Sequence, residues 1–188
     1  MGQLNVERAW RPRSPEFQQE SSEMRSYRKG LEGEIEVVAK QLSQLDKCWL
    51  VLHSITISSS GTDIDHLVIG PGGVFTLNTK NHDGCKVWVA KKTFMVNGQR
   101  NDYLQISRSE GIKASRILSR ACNIEVTVEP VIVVLAAKFD IASDPCDVHV
   151  VARNTIRSWL ECRPSSLTLG QVRSIYERAR DSTTWLAE

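Results

Sequence analysis

Apolar positions along the chain change period several times, and each change marks an element. Leu31, Ile35, Val38, Leu42 and Leu45 recur every three or four residues, the spacing of one helical face that begins near Tyr27. Residues 48–57 are rich in β-formers and stop at Ser58-Ser59-Ser60-Gly61, the pattern of a strand and its loop. Two further strand-like runs flank Gly70-Pro71-Gly72-Gly73, whose fixed and positive φ values suit a hairpin. Residues 86–90 and 93–96 read as two more short strands, the second closed by Asn97-Gly98. Helical spacing returns over residues 102–122, with Tyr103, Ser107, Gly111, Ala114, Leu118 and Ala121 on one face. Residues 131–136 are continuously apolar, as in a strand buried on both sides, and residues 147–152 read as another strand. Asn154 or Thr155 can cap a short helix through Leu160, and Thr168 a last one through Arg180, with Pro164 between them.

The resulting order, α-β-β-β-β-β-α-β-β-α-α, predicts an α/β (α+β) fold in which a mixed central sheet is flanked by helices. Residues 1–24 lack the periodicity and are rich in Arg, Glu, Gln and Ser, so a flexible tail is expected there. The expected organisation is that tail, a domain over residues 25–162, and a helical extension over residues 163–188 packed on or beside it.

Inside the hairpin, polar residues stand where a buried strand would carry apolar ones. With the turn centred on Pro71-Gly72, Asp65 lies opposite Asn78 and Asp63 opposite Lys80, and alternation puts Asn78 and Lys80 on one face. An acid, an amide and a lysine on a β surface form a candidate site, because none of them stabilises a core unpaired. Glu34 lies roughly 60° from the centre of the first helix's apolar stripe at ~100° per residue, close enough to reach over the sheet, whereas Glu32 and Glu36 point away. Glu34, Asp65, the backbone carbonyl of Thr79 and, more weakly, the Asn78 side-chain oxygen are donors that Mg²⁺ or Mn²⁺ accepts. Lys80 beside them can meet charge on a scissile phosphate. The same residues also fit a bland reading: turn-flanking solvated acids, and a lysine that protects an edge strand from aggregation.

Neighbouring candidates carry less. His66 falls on the face opposite Asp65 and reads as a hydrogen-bonded structural histidine. His82, Asp83 and Cys85 read as a turn on Asp83-Gly84 in preference to a soft-metal cluster. Lys86, Lys91, Lys92, Arg100 and Arg108 fit a phosphate-facing rim and a solvated face equally well. Trp88 and Phe94 are expected to pack, although an exposed one can stack on a base.

Composition constrains rather than directs. The chain's 188 residues, 41% hydrophobic and 24% charged, suit one globular domain, and a net charge of +2 neither demands nor opposes a nucleic-acid partner. No run has the length of a membrane span and no apolar signal core opens the chain, so no membrane partner and a cytoplasmic location are expected. Five cysteines without a CxxC pair argue against a disulfide framework and a structural zinc site, and nothing calls for a small-molecule cofactor.

Gly33-Glu34, the string from Asp63 through Asp65-His66 and Gly70-Pro71-Gly72-Gly73 to Phe75, and Thr79-Lys80 together resemble the NERD (nuclease-related) domain. That family is similar to the PD-(D/E)xK nuclease superfamily. The resemblance implies a restriction-endonuclease-like core, hydrolysis of nucleic-acid phosphodiesters with DNA ahead of RNA, and Mg²⁺ or Mn²⁺ as cofactor. By position it makes Glu34 the helical acid, Asp65 the metal-binding aspartate and Lys80 the lysine of the (D/E)xK element. Gln105 matches a helical glutamine of the family. Asn78 departs from the pattern, giving Asn-Thr-Lys where an acid is expected, and so removes a full charge from the implied cation cage. Two outcomes follow. In one the amide coordinates through its oxygen and the enzyme is active; in the other the chain is an attenuated or inactive module that binds nucleic acid or protein.

Overall fold

The computed structural model describes residues 38–57, 63–143, 145 and 147–186. Seven strands form one sheet: β1 (Leu50–Thr56), β2 (Asp63–Gly70), β3 (Gly73–Ala90), β4 (Thr93–Val96), β5 (Gln99–Asn101), β6 (Val128–Ile141) and β7 (His149–Ala152). β1 to β5 follow one another as antiparallel neighbours, while β6 joins β3 in parallel and β7 joins β6 in parallel. The helices are α1 (Tyr103–Cys122), α2 (Ile156–Glu161), α3 (Leu169–Ala179) and α4 (Ser182–Leu186). This is the expected mixed sheet flanked by helices, consistent with a restriction-endonuclease-like core. The tail, most of the expected first helix and Glu34 lie outside the described residues; residues 38–42 are helical, with Val38 and Leu42 buried.

Alternation along β6 divides the core. Val131 and Val133 join Val38, Leu42, Phe75, Leu77, Ile156 and Leu160 on one side of the sheet. Ile132 and Val134 point the other way, into a cluster with Val87, Val89, Phe94 and the α1 residue Leu104. α1 also packs through Ala114, Ile117 and Leu118 on Ile64, Leu67 and Ile69, together with Val172, Ile175 and Ala179 of α3 and Trp185 of α4. The continuous apolar run is thus a strand buried on both faces, as expected. Thr168 caps α3 in a reciprocal capping box with Gln171, but Thr155 makes no side-chain cap on α2 and donates its hydroxyl back to the Ala152 carbonyl instead.

Residues 86–90 are not a strand of their own. They are the far half of β3, which runs unbroken for 18 residues because β6 pairs with it on both sides of a register shift between His82 and Lys86. Gly84, at φ +74°, takes up the irregularity that looked like a turn in the sequence. β5 and α4 are additional elements. Among the described residues, no helix is long and apolar enough to cross a membrane, and Cys48, Cys85, Cys122 and Cys162 are free thiols.

Candidate functional site

β2 and β3 pair from Gly70↔Gly73 to His66↔Leu77, the register set by a turn on Pro71-Gly72. The ladder ends one residue before Asp65. Instead of an Asp63–Lys80 opposition, the Asp65 carboxylate turns to accept the Thr79 backbone N–H at 2.7 Å. β4 meets β3 only from Val87 onward, and β6 already occupies the other edge of β3. Residues 78–86 therefore line a fork, an edge of β3 that neither β2 nor β4 covers.

Asn78 and Lys80 project from this fork toward α1. The Asn78 amide nitrogen donates to Oε2 of Glu110, two turns into α1, and the Lys80 ammonium stands 5.3 Å from the centre of the Tyr103 ring. Tyr103 in turn stacks on His82 at 5.6 Å. Asn78, Thr79 and Glu110 are all buried. Burial pushes the Asp65 carboxyl up and Asp63 adds to this, while the Thr79 N–H and Lys80 draw it back. Burial likewise raises Glu110, against the opposing pull of Lys80 and Asn78, and the Asp65 charge raises it further. Burial and then Lys80 lower the His82 imidazole. Lys80 is thus the counter-charge shared by the half-buried Asp65 and the buried Glu110.

Glu110 is the buried acid of the fork that the sequence reading passed over. Its signal was present: it lies three residues after Ser107 and four before Ala114, inside the buried stripe of α1 where an acid is out of place. The structure brings Asp65, Asn78, Thr79 and Lys80 together with Glu110, while Glu34 lies outside the described residues. Gln105 is exposed and does not join them.

The donor chemistry fits a hard cation. Among the described residues no group of three or more His, Cys, Asp or Glu side chains gathers, so the fork offers two carboxylates, an amide oxygen and a carbonyl. Mg²⁺ is commonly held by one or two carboxylates, completing its shell with water and substrate phosphate. Asp65 spends one oxygen on the Thr79 N–H and keeps the other. His66 is no part of this set: its Nδ1 lies 2.7 Å from Nδ1 of His53 on β1, and burial, then His53, pulls its pKa down to about 3.

The expected cationic rim divides. Lys92, Arg100, Gln105 and Arg108 line one recess of about 370 Å³ beside the start of α1, with Asp102 and Asp147. Arg108 is committed there to a two-pronged pair with Asp147. Phe94 is fully buried, whereas Trp88 is 40% exposed on the projecting half of β3.

Residues 29–135 match the sequence pattern of the family described as Nuclease-related domain (NERD). That span contains the whole fork and α1. An uncharacterized protein of Bacillus anthracis is 45% identical over 60 residues, which are 30% of this chain and 28% of that protein. The chain thus covers well under two thirds of that relative's length. No solved structure matches it.

Proposed function

Because the chain belongs to the nuclease-related domain family, we propose that it is a metal-dependent nuclease hydrolysing phosphodiester bonds of nucleic acid, DNA in preference to RNA. The observation that carries this reading is the fork, where Asp65, Asn78 and Lys80 meet at an edge of β3 left open between β2 and β4. The principal ligands for Mg²⁺ or Mn²⁺ would be Asp65 and the Thr79 carbonyl, with the Asn78 oxygen as a weaker one and Glu34 as a further acid. A divalent cation held there supplies Lewis acidity toward phosphate and makes bound water more acidic.

The chain's own groups do the rest. The Thr79 N–H fixes the Asp65 carboxylate, so its second oxygen stays aimed without reorganisation. Lys80 places a positive charge beside the ligands, where it stabilises negative charge building on the phosphoryl oxygens. Water adds to phosphorus, the bond to the leaving sugar oxygen breaks, and that oxygen takes up a proton. Lys92 and Arg100 in the neighbouring recess are suited to flanking phosphates.

Plasmid and single-stranded substrates incubated with Mg²⁺ or Mn²⁺ should be cleaved, and Asp65→Ala or Lys80→Ala should abolish cleavage. Cleavage that persists in both variants would belong to a contaminant and end the assignment. One observation favours a second reading: a neutral amide at position 78 suits a module that binds nucleic acid without turnover. That reading expects salt-sensitive binding and no product under the same conditions.

A further inference from the structure

We propose that Glu110 replaces the acid missing at position 78, so that the cation cage is completed from helix α1 instead of from strand β3. This assignment rests on the metal-dependent reading above. Its starting point is the direct hydrogen bond between the Asn78 amide and the Glu110 carboxylate. A carboxylate sits next to the position where an acid is absent, carried there by a different element.

Three observations separate this from a buried polar pair that happens to be satisfied. First, the rest of the buried stripe of α1 is Leu104, Ser107, Gly111, Ala114, Ile117 and Leu118. Glu110 is its only charged member, and it is 7% exposed. A carboxylate does not belong in such a stripe unless something balances its charge. Its hydrogen-bond partner is a neutral amide, and the Lys80 charge beside it is shared with Asp65, which leaves one negative charge for a cation to balance.

Second, the charge count of the fork is conserved. Asp65, Glu110 and Lys80 sum to one negative charge, the same as an aspartate, a strand acid and a lysine. With Glu34 as a further ligand the acids outnumber Lys80 by two, and a divalent cation brings the site to neutrality, so a phosphodiester meets the cation and Lys80 without excess negative charge. Third, the backbone of α1 is brought in unusually close. An added Cβ on Gly111, the residue after Glu110, would lie 3.0 Å from Pro130 on β6. That approach seats the helix near enough to the sheet for the Glu110 side chain to reach β3.

Asn78 then becomes a positioning residue. Only its amide nitrogen can donate to a carboxylate, so the hydrogen bond fixes the amide's orientation. Its Oδ1 is left on the other branch of the same planar group.

The test is a Mn²⁺ titration of the full chain, read by loss of the free-ion EPR signal, on wild type, Glu110→Gln, Asp65→Ala and the double variant Asn78→Glu with Glu110→Gln. Glutamine keeps the shape of Glu110 and can still accept from Asn78, so thermal unfolding of the metal-free protein should hold steady or rise. The expected result is that Glu110→Gln weakens Mn²⁺ binding by about tenfold or more, the size of effect seen even one layer behind metal ligands. Returning the acid to the strand in the double variant should recover most of that loss. Wild-type affinity in Glu110→Gln, alongside lost binding in Asp65→Ala, overturns the Glu110 assignment alone. A wild-type chain that binds no Mn²⁺ at millimolar levels removes the metal-dependent reading and this assignment with it.

Discussion

His66 sits across the β1–β2 ladder from His53, fully buried, with its ring edge-on to that of its partner. Burial, with His53 adding to it, brings its pKa down to about 3. In the unfolded chain the same imidazole titrates near 6.5. Between these values the unfolded state binds a proton that the folded state refuses, so stability rises with pH through this window and falls as pH drops below about 6.5. Above 6.5 both states are neutral and the effect vanishes. At ~1.4 kcal/mol per pH unit, the metal-free protein should lose about 2–3 kcal/mol between pH 7 and pH 4.5 from this one residue. Urea unfolding at the two pH values, with chelator present, measures it. His66→Gln, which has nothing to titrate, should flatten the acid limb; an unchanged slope would assign acid sensitivity to other groups.

Among the elements, α1 is the one whose placement decides the geometry of the fork, and at Gly111 it lies close against Pro130 of β6. In an exposed helix glycine is a liability of about 1 kcal/mol relative to alanine. Here an added Cβ would meet Cδ, Cβ and Cγ of Pro130 at 3.0–3.2 Å. Pro130 is a rigid ring in β6, set opposite Thr76 of β3, and cannot move aside. Gly111→Val should therefore push α1 outward, destabilise the protein by about 1–3 kcal/mol, and weaken Mn²⁺ binding by displacing Glu110. A melt and a titration on the same variant test both parts; a stable variant with intact cation binding would show that α1 tolerates the shift.

The elements also show what the chain's pattern disclosed. The hairpin register was legible because Pro71-Gly72 fits one turn, and a one-residue slip would carry Asp65 to the face opposite Asn78. The α3 start was legible because Thr168 and Gln171 carry a local capping signal. The continuity of β3 was hidden: Asp83-Gly84 has turn chemistry whether it ends a strand or bulges within one, and only pairing with the distant β6 decides. Glu110 was hidden for a related reason. Its partner is 32 residues away, and without the fold its charge looks like an interruption of the stripe. Trp88 is exposed because β3 extends past the end of β2, a length that no local signal encodes.

On the scale of the whole molecule, the layer that seats α1 is completed by chain beyond residue 135, where the family match ends. Val172, Ile175 and Ala179 of α3 and Trp185 of α4 share one cluster with Ala114, Ile117 and Leu118 of α1 and with Ile64, Leu67 and Ile69. Trp185 is the largest of these side chains, 4% exposed, and its indole N–H donates to the Ala179 carbonyl at 2.7 Å. The hydrogen bond removes the one polar reason for the ring to seek water, so the whole side chain contributes to the core. Trp185→Ala leaves a large cavity and an unpaired carbonyl at the end of α3, and should destabilise the protein by about 3–5 kcal/mol. α1 leans on this cluster as well as on β6, so the loss should propagate to the fork. Backbone amides of α1 around Ser107–Gly111 should then exchange faster in hydrogen–deuterium measurements on the variant, even under conditions where it remains folded. If protection there is unchanged while α3 alone loosens, the C-terminal helices serve only as a cover, and the fork is held by β6 and α1 themselves.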